Sequence, residues 1–297
     1  MRMRPALAVA VLAPALALAV AACSPEDDGG ASSTGGSTAS GASAAAIDPA
    51  TCAAGKTLTD GKLTFATDQP VYEPWFVDDK PENGKGFEGA VAAAIATKLG
   101  LAPADVVWKR VTFNNAIAPG PKTFDADINE FSISDERRQN IDFSSPYYDV
   151  RQTVIALKGN KAASATSLAA LKDVQLGAQV GTTSYDAATA LDPSKKPRVY
   201  NSNDDALAAL KNGQIDGLVV DLPTAFYMTS AQLDDGVIVG QLPQSGGTPE
   251  QFGLVLDKGS AFTACLSAAV DALREDGTLA DLEKQWLSSE GNAPELS

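Results

Sequence analysis

From Lys62 onward the chain alternates short apolar runs with helical stretches, and that alternation constrains the fold more than any other feature. Leu63 to Thr67 reads as a strand, and Phe87, Val91, Ile95 and Leu99 recur every four residues as the buried stripe of a helix stopped by Gly100. Val106 to Val111 reads as a second strand, Phe113 to Ala118 as a short helix and Asp125 to Asn129 as a third strand. A β-α-β-α-β order implies a parallel sheet with right-handed crossovers. Gln152 to Leu157 is an extended run able to cross into a second body, where a fresh series begins. Ser167 caps a helix, Val174 to Gln179 is a strand, and Gly181-Thr182-Thr183-Ser184 opens the next helix. Asn203 is expected to cap a helix that Gly213 ends, Ile215 to Val220 follows as a strand, and Pro223 sits where a helix start tolerates proline. Val237 to Leu242, Gly253 to Leu256 and two final helices complete the pattern, the last pieces reading as a return to the first body. With 297 residues and 44% hydrophobic content, two such cores can be filled.

Composition removes several functions. The net charge is −14, with 37 acids against 23 bases and no long basic run, which argues against nucleic acid as a partner. Histidine is absent, so Ser-His-Asp and Cys-His catalysis and the usual zinc ligand sets are unavailable. No metal or cofactor is expected, and an enzyme would have to work with carboxylates, hydroxyls, lysine or tyrosine.

The first residues read as an export signal. Arg2 and Arg4 precede an Ala, Leu and Val run from Ala6 to Ala22 that ends Val20-Ala21-Ala22-Cys23. Small residues directly before a cysteine resemble the bacterial lipoprotein cleavage box. That resemblance implies a signal peptide over 1–22 and a diacylglycerol (palmitate-type) anchor on Cys23, on the extracytoplasmic face of the cell membrane. Residues 24–46 are Ser, Gly, Thr and Ala with few large apolar side chains, a composition that stays a disordered tether. In an exported protein the two remaining cysteines, Cys52 and Cys265, most often pair, although spacing alone does not fix their distance in the fold.

The stretch from Asp127 to Tyr148 carries the chemistry. A strand runs into a polar turn, and Ser134 is placed to cap a short helix whose first turn holds Asp135, Glu136 and Arg137. A cation at a helix N-terminus is locally unfavourable, because free N–H groups already make that end positive. Arginine beside such N–H groups makes a carboxylate site with bidentate geometry, although the same run also fits a solvated face. Two further strand ends point the same way: Gly181-Thr182-Thr183 follows one, and Asp221 ends Gly217-Leu-Val-Val. Ligands of open parallel sheets bind beyond the carboxyl ends of strands, so the three can converge. A guanidinium, a helix start with hydroxyls and a carboxylate complement a zwitterion. Asp221 also fits a helix cap before Pro223, Thr182 and Thr183 an ordinary helix start, and Tyr72 and Trp75 a lid over the core.

At this point the chain resembles extracellular solute-binding proteins of family 3, the polar amino acid-binding components of ATP-driven importers. The resemblance runs from about Gly61 to Leu287. It rests on Ala66-Thr-Asp-Gln-Pro-Val-Tyr-Glu-Pro-Trp-Phe-Val77, Gly86-Phe-Glu-Gly89, Ser132-Ile-Ser-Asp-Glu-Arg137, Ile141-Asp-Phe-Ser-Ser-Pro-Tyr-Tyr148, Gly181-Thr-Thr-Ser184 and Asp276-Gly-Thr-Leu, in that order. It implies an α/β, two-lobed periplasmic-binding-protein-like fold (type II), each lobe a mixed, mostly parallel sheet flanked by helices, with two hinge crossovers near 149–153 and 244–252. Implied boundaries are 1–22 signal peptide, 23–56 lipidated cysteine and tether, 57–150 first lobe, 151–246 second lobe and 247–297 return to the first lobe. The resemblance further implies that Arg137, Thr183 and the N–H of Thr182 hold a ligand α-carboxylate, that Asp221 and Ser132 take its ammonium, and that Tyr72, Trp75 and Phe113 wall the pocket. Glu130 stands where the family commonly has a small residue or Gln, so it would favour a cationic ligand if it faces the pocket, or pair with Arg138 if it faces solvent. The chain is then a monomeric binding protein that closes on an amino acid and presents it to a membrane permease. A carboxylate-dependent dehydratase on the same fold and a sensing ectodomain are the other functions considered.

Overall fold

The computed structural model describes residues 47–244, 248–287 and 293–297. The export signal, Cys23 and residues 24–46 lie outside the described residues, as does 245–247 within the second expected crossover; residues 47–56, expected as the end of the tether, instead hold a short helix whose Cys52 and Ala53 pack on the first lobe. Among the described residues, no helix is long and apolar enough to cross a membrane.

The first lobe begins with α1 (Pro49–Cys52), β1 (Leu63–Thr67), α2 (Phe87–Lys98), β2 (Val106–Arg110), α3 (Phe113–Ile117), β3 (Ala126–Asp127) and β4 (Ile141–Phe143). All five residues of β1 are buried, as expected of a strand covered on both faces. It pairs in parallel with β2 and β3. The predicted stripe of α2 is real: Phe87, Val91, Ile95 and Leu99 all lie in the core of this lobe. Each such side chain contributes roughly 1.5–3 kcal/mol on leaving water. β3 is shorter than predicted, and Asp125 just before it anchors a neighbouring loop. Its carboxylate accepts hydrogen bonds from the backbone N–H groups of Leu58 (2.6 Å) and Thr64 (2.7 Å), which ties the entry loop to β1.

After β5 (Tyr148–Val150) the chain enters the second lobe through β6 (Gln152–Leu157), α4 (Leu168–Leu171), β7 (Leu176–Gln179), α5 (Thr183–Ala190), β8 (Arg198–Tyr200), α6 (Asn203–Lys211), β9 (Gly217–Asp221), α7 (Leu222–Tyr227) and β10 (Gly236–Gln241). The predicted cap of α6 moves by one residue: Ser202 rather than Asn203 accepts from the N–H of Asp205. β11 (Glu250–Phe252) leads back to the first lobe, where β12 (Val255–Asp257), α8 (Thr263–Glu275) and α9 (Thr278–Leu287) follow.

Two five-stranded sheets result, in the orders β2-β1-β3-β12-β4 and β10-β6-β9-β7-β8. Each mixes parallel with antiparallel pairs, because β12 and β6 enter against the direction of their neighbours. The crossing segments β5 and β11 form a separate antiparallel ladder, pairing Val150 with Glu250 and Tyr148 with Phe252. The C-terminal segment departs from the expected return of 247–297 to the first lobe. Leu266 of α8 and Leu279 of α9 join the core of the first lobe, whereas residues 293–297 run beside β10. Leu296 is buried in the second lobe's core, and its N–H donates to Gln241 O, so this segment pairs part of the outer edge of β10.

Cys52 and Cys265 are joined, with their Cα atoms 5.6 Å apart, which pins α1 to α8 across 213 residues of sequence. A crosslink over so long a loop removes much of the entropy of the unfolded chain. Cys52→Ser/Cys265→Ser is expected to lower unfolding stability by about 2–5 kcal/mol, measured as a lower denaturant midpoint. An unchanged midpoint would show that the crosslink contributes nothing.

Candidate functional site

The cleft between the lobes encloses about 830 Å³ of space, part of it continuous with solvent. One wall comes from the loop after β1. The first N–H groups of α2 have no partners within the helix, and here they are satisfied by that loop: Phe87 N–H donates to Pro74 O (2.8 Å), and Glu88 and Gly89 N–H to Trp75 O (3.0 and 3.2 Å). The approach is close enough to require glycine, since a Cβ on Gly86 would lie 2.3 Å from Trp75 O. Trp75 is thereby fixed edge-on against Phe87, Tyr148 and Phe252, and its indole N–H donates to Thr224 Oγ1 in the second lobe at 2.8 Å. Tyr72, from the same loop, donates its hydroxyl to the Asp204 carboxylate across the cleft, and removal from water raises its pKa, helped by that bond.

Arg137 does not sit in an α-helix as predicted. Ser134 keeps its capping role, accepting from the N–H of Arg137 at 3.2 Å, but the segment 137–139 forms a single 3₁₀ turn. The guanidinium donates to Ser132 O (2.6 Å) in the first lobe and Gly181 O (2.8 Å) in the second, and its Cζ lies 5.3 Å from the centroid of the Phe113 ring. Phe113 in turn stacks on Phe131. Opposite stands Asp221, at the N-terminus of α7. Its side chain makes no capping bond, so the helix-cap reading fails and the carboxylate faces the cleft, 2.6 Å from Gln152 Nε2.

Thr182 does cap α5, accepting from Tyr185 N–H and donating to Gln179 O, while Thr183 begins the helix and lies 3.1 Å, Oγ to Oγ, from Ser132. Both threonines line the cleft. Ser132 lies behind the lining: it is 2% exposed and donates to Glu250 Oε1 at 2.5 Å. Glu130 faces the cleft rather than Arg138. It adopts the left-handed conformation (φ 54°), its N–H donates to Glu88 Oε1 (2.7 Å), and its Oε2 accepts from Thr224 Oγ1 (2.8 Å).

Four carboxylates (Asp68, Glu130, Asp204 and Asp221) therefore line the cleft, against the single guanidinium of Arg137 among the described lining residues. Dehydration lowers the Arg137 pKa and raises those of Glu130 and Asp221, each carboxylate being pushed further by a neighbouring acid: Asp221 for Glu130, Glu250 for Asp221. Sequence reasoning missed Asp68, Asp204, Gln152, Thr224 and Glu250. Asp68 directly follows β1 much as Asp221 closes β9, so the same logic could have found it. Thr224 and Glu250 carried no signal, because their roles exist only once the lobes face each other. Among the described residues no group of three or more Cys, Asp or Glu could hold a metal ion.

Comparison with known proteins gives the family and the fold. The model of bacterial extracellular solute-binding proteins, family 3, matches residues 63–289. A probable histidine-binding protein of Campylobacter jejuni is 29% identical, spanning 73% of this chain and 82% of the relative. An L-arginine-binding protein of Pseudomonas aeruginosa is 28% identical, spanning 76% and 90%. Among solved structures, an ancestral arginine-binding protein bound to arginine superposes with a TM-score of 0.63 at 31% identity, over 76% of this chain and 98% of that one.

The acids also set how stability depends on pH. Glu88 is fully buried and its pKa is pushed up from 4.5 to about 7 by dehydration, partly offset by the hydrogen bond from Tyr147. A carboxyl whose folded pKa is raised binds its proton more tightly when folded. Its stabilising effect is thus complete below the unfolded value and is lost as pH rises through the folded one. Asp127, Glu130 and Asp221 are shifted in the same direction, each chiefly by burial. The ligand-free protein is expected to lose melting temperature as pH rises from 4.5 to 7, the window set by Glu88, and Glu88→Gln to flatten the profile. A melting temperature that climbs over this window would contradict the assignment.

Proposed function

The chain belongs to the bacterial extracellular solute-binding proteins of family 3, and from that premise we propose that it captures an amino acid with a cationic side chain for an ATP-driven importer. The observation that carries this reading is a cleft with one guanidinium on one lobe, Asp221 on the other, and further carboxylates between them. In this reading Arg137, with Thr183 and the N–H of Thr182, takes the α-carboxylate, and Asp221 takes the α-ammonium. Those contacts leave Asp68, Glu130 and Asp204 without a cation, which a second positive charge on the ligand would supply. Phe113, Tyr72 and Trp75 provide apolar walls for its methylene stem. The histidine- and arginine-binding relatives support the same class.

Capture proceeds by closure. Bonds from Trp75 to Thr224, Tyr72 to Asp204 and Arg137 to Gly181 join the lobes directly, and the β5–β11 ladder spans the two crossings. The closed form is the one a membrane permease would read. We further propose a monomer exported to the outer face of the membrane and held there by lipid on Cys23, acting by binding rather than by turnover. Unchanged ligand recovered after incubation would support binding over catalysis.

A thermal-shift panel of the twenty amino acids, ornithine and citrulline should place arginine, lysine or ornithine first, because a ligand of the folded form raises its apparent stability. Citrulline matches arginine in shape without its charge, so equal shifts for the two would overturn the cationic assignment. Arg137→Ala is expected to weaken binding at least ~100-fold, since it leaves a dehydrated carboxylate unpaired. Wild-type affinity in that variant, measured by calorimetry, would remove Arg137 from the site.

A further inference from the structure

Behind the cleft lining lies a polar chain that joins both lobes through the hinge. Glu250 belongs to β11, in the two-stranded ladder opposite Val150. Its side chain does not line the cleft but lies under its floor. There Oε1 accepts from Ser132 Oγ (2.5 Å), and both carboxylate oxygens accept from Gln152 Nε2 (3.1 and 3.2 Å). The same nitrogen donates to Asp221 Oδ1 at 2.6 Å. Gln152 is 6% exposed, and its Oε1 accepts from Ser184 Oγ at 2.7 Å. An amide NH₂ has two hydrogens to give, and here two carboxylates are positioned to take them.

We propose that Glu250 is a positioning residue for the ammonium subsite: from the hinge strand it fixes the orientation of the Gln152 carboxamide, and through that carboxamide it sets the Asp221 carboxylate. This rests on the functional reading above and deepens it. The charge at position 250 matters because Gln152 can present either end of its amide. With carboxylates on one side, the NH₂ end must face them. Ser184 imposes no such choice, since a hydroxyl donates or accepts equally well. If residue 250 turned an N–H toward Gln152, the amide would relieve the donor–donor contact by rotating, and its oxygen would then oppose Asp221. Glu250 therefore decides, two contacts away, whether Asp221 is held in place or repelled.

The chain of bonds also runs from one lobe to the other. Ser132 is in the first lobe, Glu250 in the hinge, and Gln152 and Asp221 in the second lobe. The set therefore joins both lobes through this ladder. It confronts an incoming ammonium with two carboxylates that share one amide, and the positive charge relieves their repulsion.

The test is calorimetric titration of the mature protein with L-arginine. Glu250→Gln, which preserves shape, should raise Kd about tenfold or more, the cost of one mispaired buried group. In a Gln152→Leu background the same substitution should change Kd by less than about twofold, because the link has already been cut. Gln251→Ala, on the same strand but with its side-chain NH₂ bonded to Asp149 on the exposed side, serves as the control for general hinge damage and should leave Kd unchanged. Glu250→Gln at wild-type affinity, or a full additional loss in the Gln152→Leu background, would overturn the proposal. Should Gln152→Leu fail to fold, the single substitution still decides it. A wild-type chain that takes up no L-arginine would overturn the cationic ligand class, and this inference with it. Binding that Asp221→Asn abolishes and Glu250→Gln leaves intact would overturn this inference alone.

Discussion

A guanidinium removed from water needs a partner for its donors, and Arg137 finds two of them on opposite halves of the molecule, at Ser132 O and Gly181 O. Neither carbonyl carries a full charge. The arrangement therefore satisfies hydrogen bonding but leaves the positive charge without a counterion among these contacts, which is the condition for recruiting an anionic group from outside. The aromatic layer of Phe113 on Phe131 supports the cation from below and keeps water from that side. Much of the cleft's architecture follows from keeping this one group dehydrated but accessible.

The opposite charge is in excess. Each carboxylate in and behind the lining is bonded to neutral donors: Asp221 to an amide, Glu130 to a hydroxyl, Glu250 to an amide and a hydroxyl. Those bonds compensate in part for dehydration, but they cannot cancel mutual repulsion. This is why Asp221 is pushed up by Glu250 beyond what burial alone does. A solute with more positive than negative charge restores balance, whereas a neutral zwitterion leaves the excess almost as it was. On the proposed reading, selectivity by charge needs no specific contact with the far end of the ligand.

The sequence made the architecture legible wherever one residue's environment is local. The stripe of α2, the burial of β1 and the place of Asp221 at the end of β9 could be read from the sequence, whereas Arg137 lies in a turn well past β3 rather than at a strand end. Capping was legible only to within a residue: Ser202 and Asn203 both fit the start of α6, and the structure uses the serine. Pairings across the cleft were not legible at all. Nothing in the neighbours of Thr224 announces that its hydroxyl will accept from Trp75 and donate to Glu130, since both partners come from the other lobe. The bridge that Glu295 makes to Gln241 was missed for the same reason, because the five residues 293–297, with one large apolar side chain, carry no period.

Glu130 marks where the fold accepts a local cost for the sake of the site. A non-glycine residue at φ 54° is disfavoured by about 1 kcal/mol or more, the low end for such strain. What holds it is Glu88 at the start of α2, which accepts from the Glu130 N–H and from Tyr147. Glu88 is itself fully buried, and one of its oxygens, Oε2, has no hydrogen-bond partner. One awkward carboxylate therefore stabilises another, and the result is to turn the Glu130 side chain into the cleft, where Thr224 meets it from the opposite lobe. A sequence selected for stability alone would place glycine or asparagine at 130 and an apolar residue at 88. That this chain does neither is consistent with the proposed role of Glu130 in the cleft it faces.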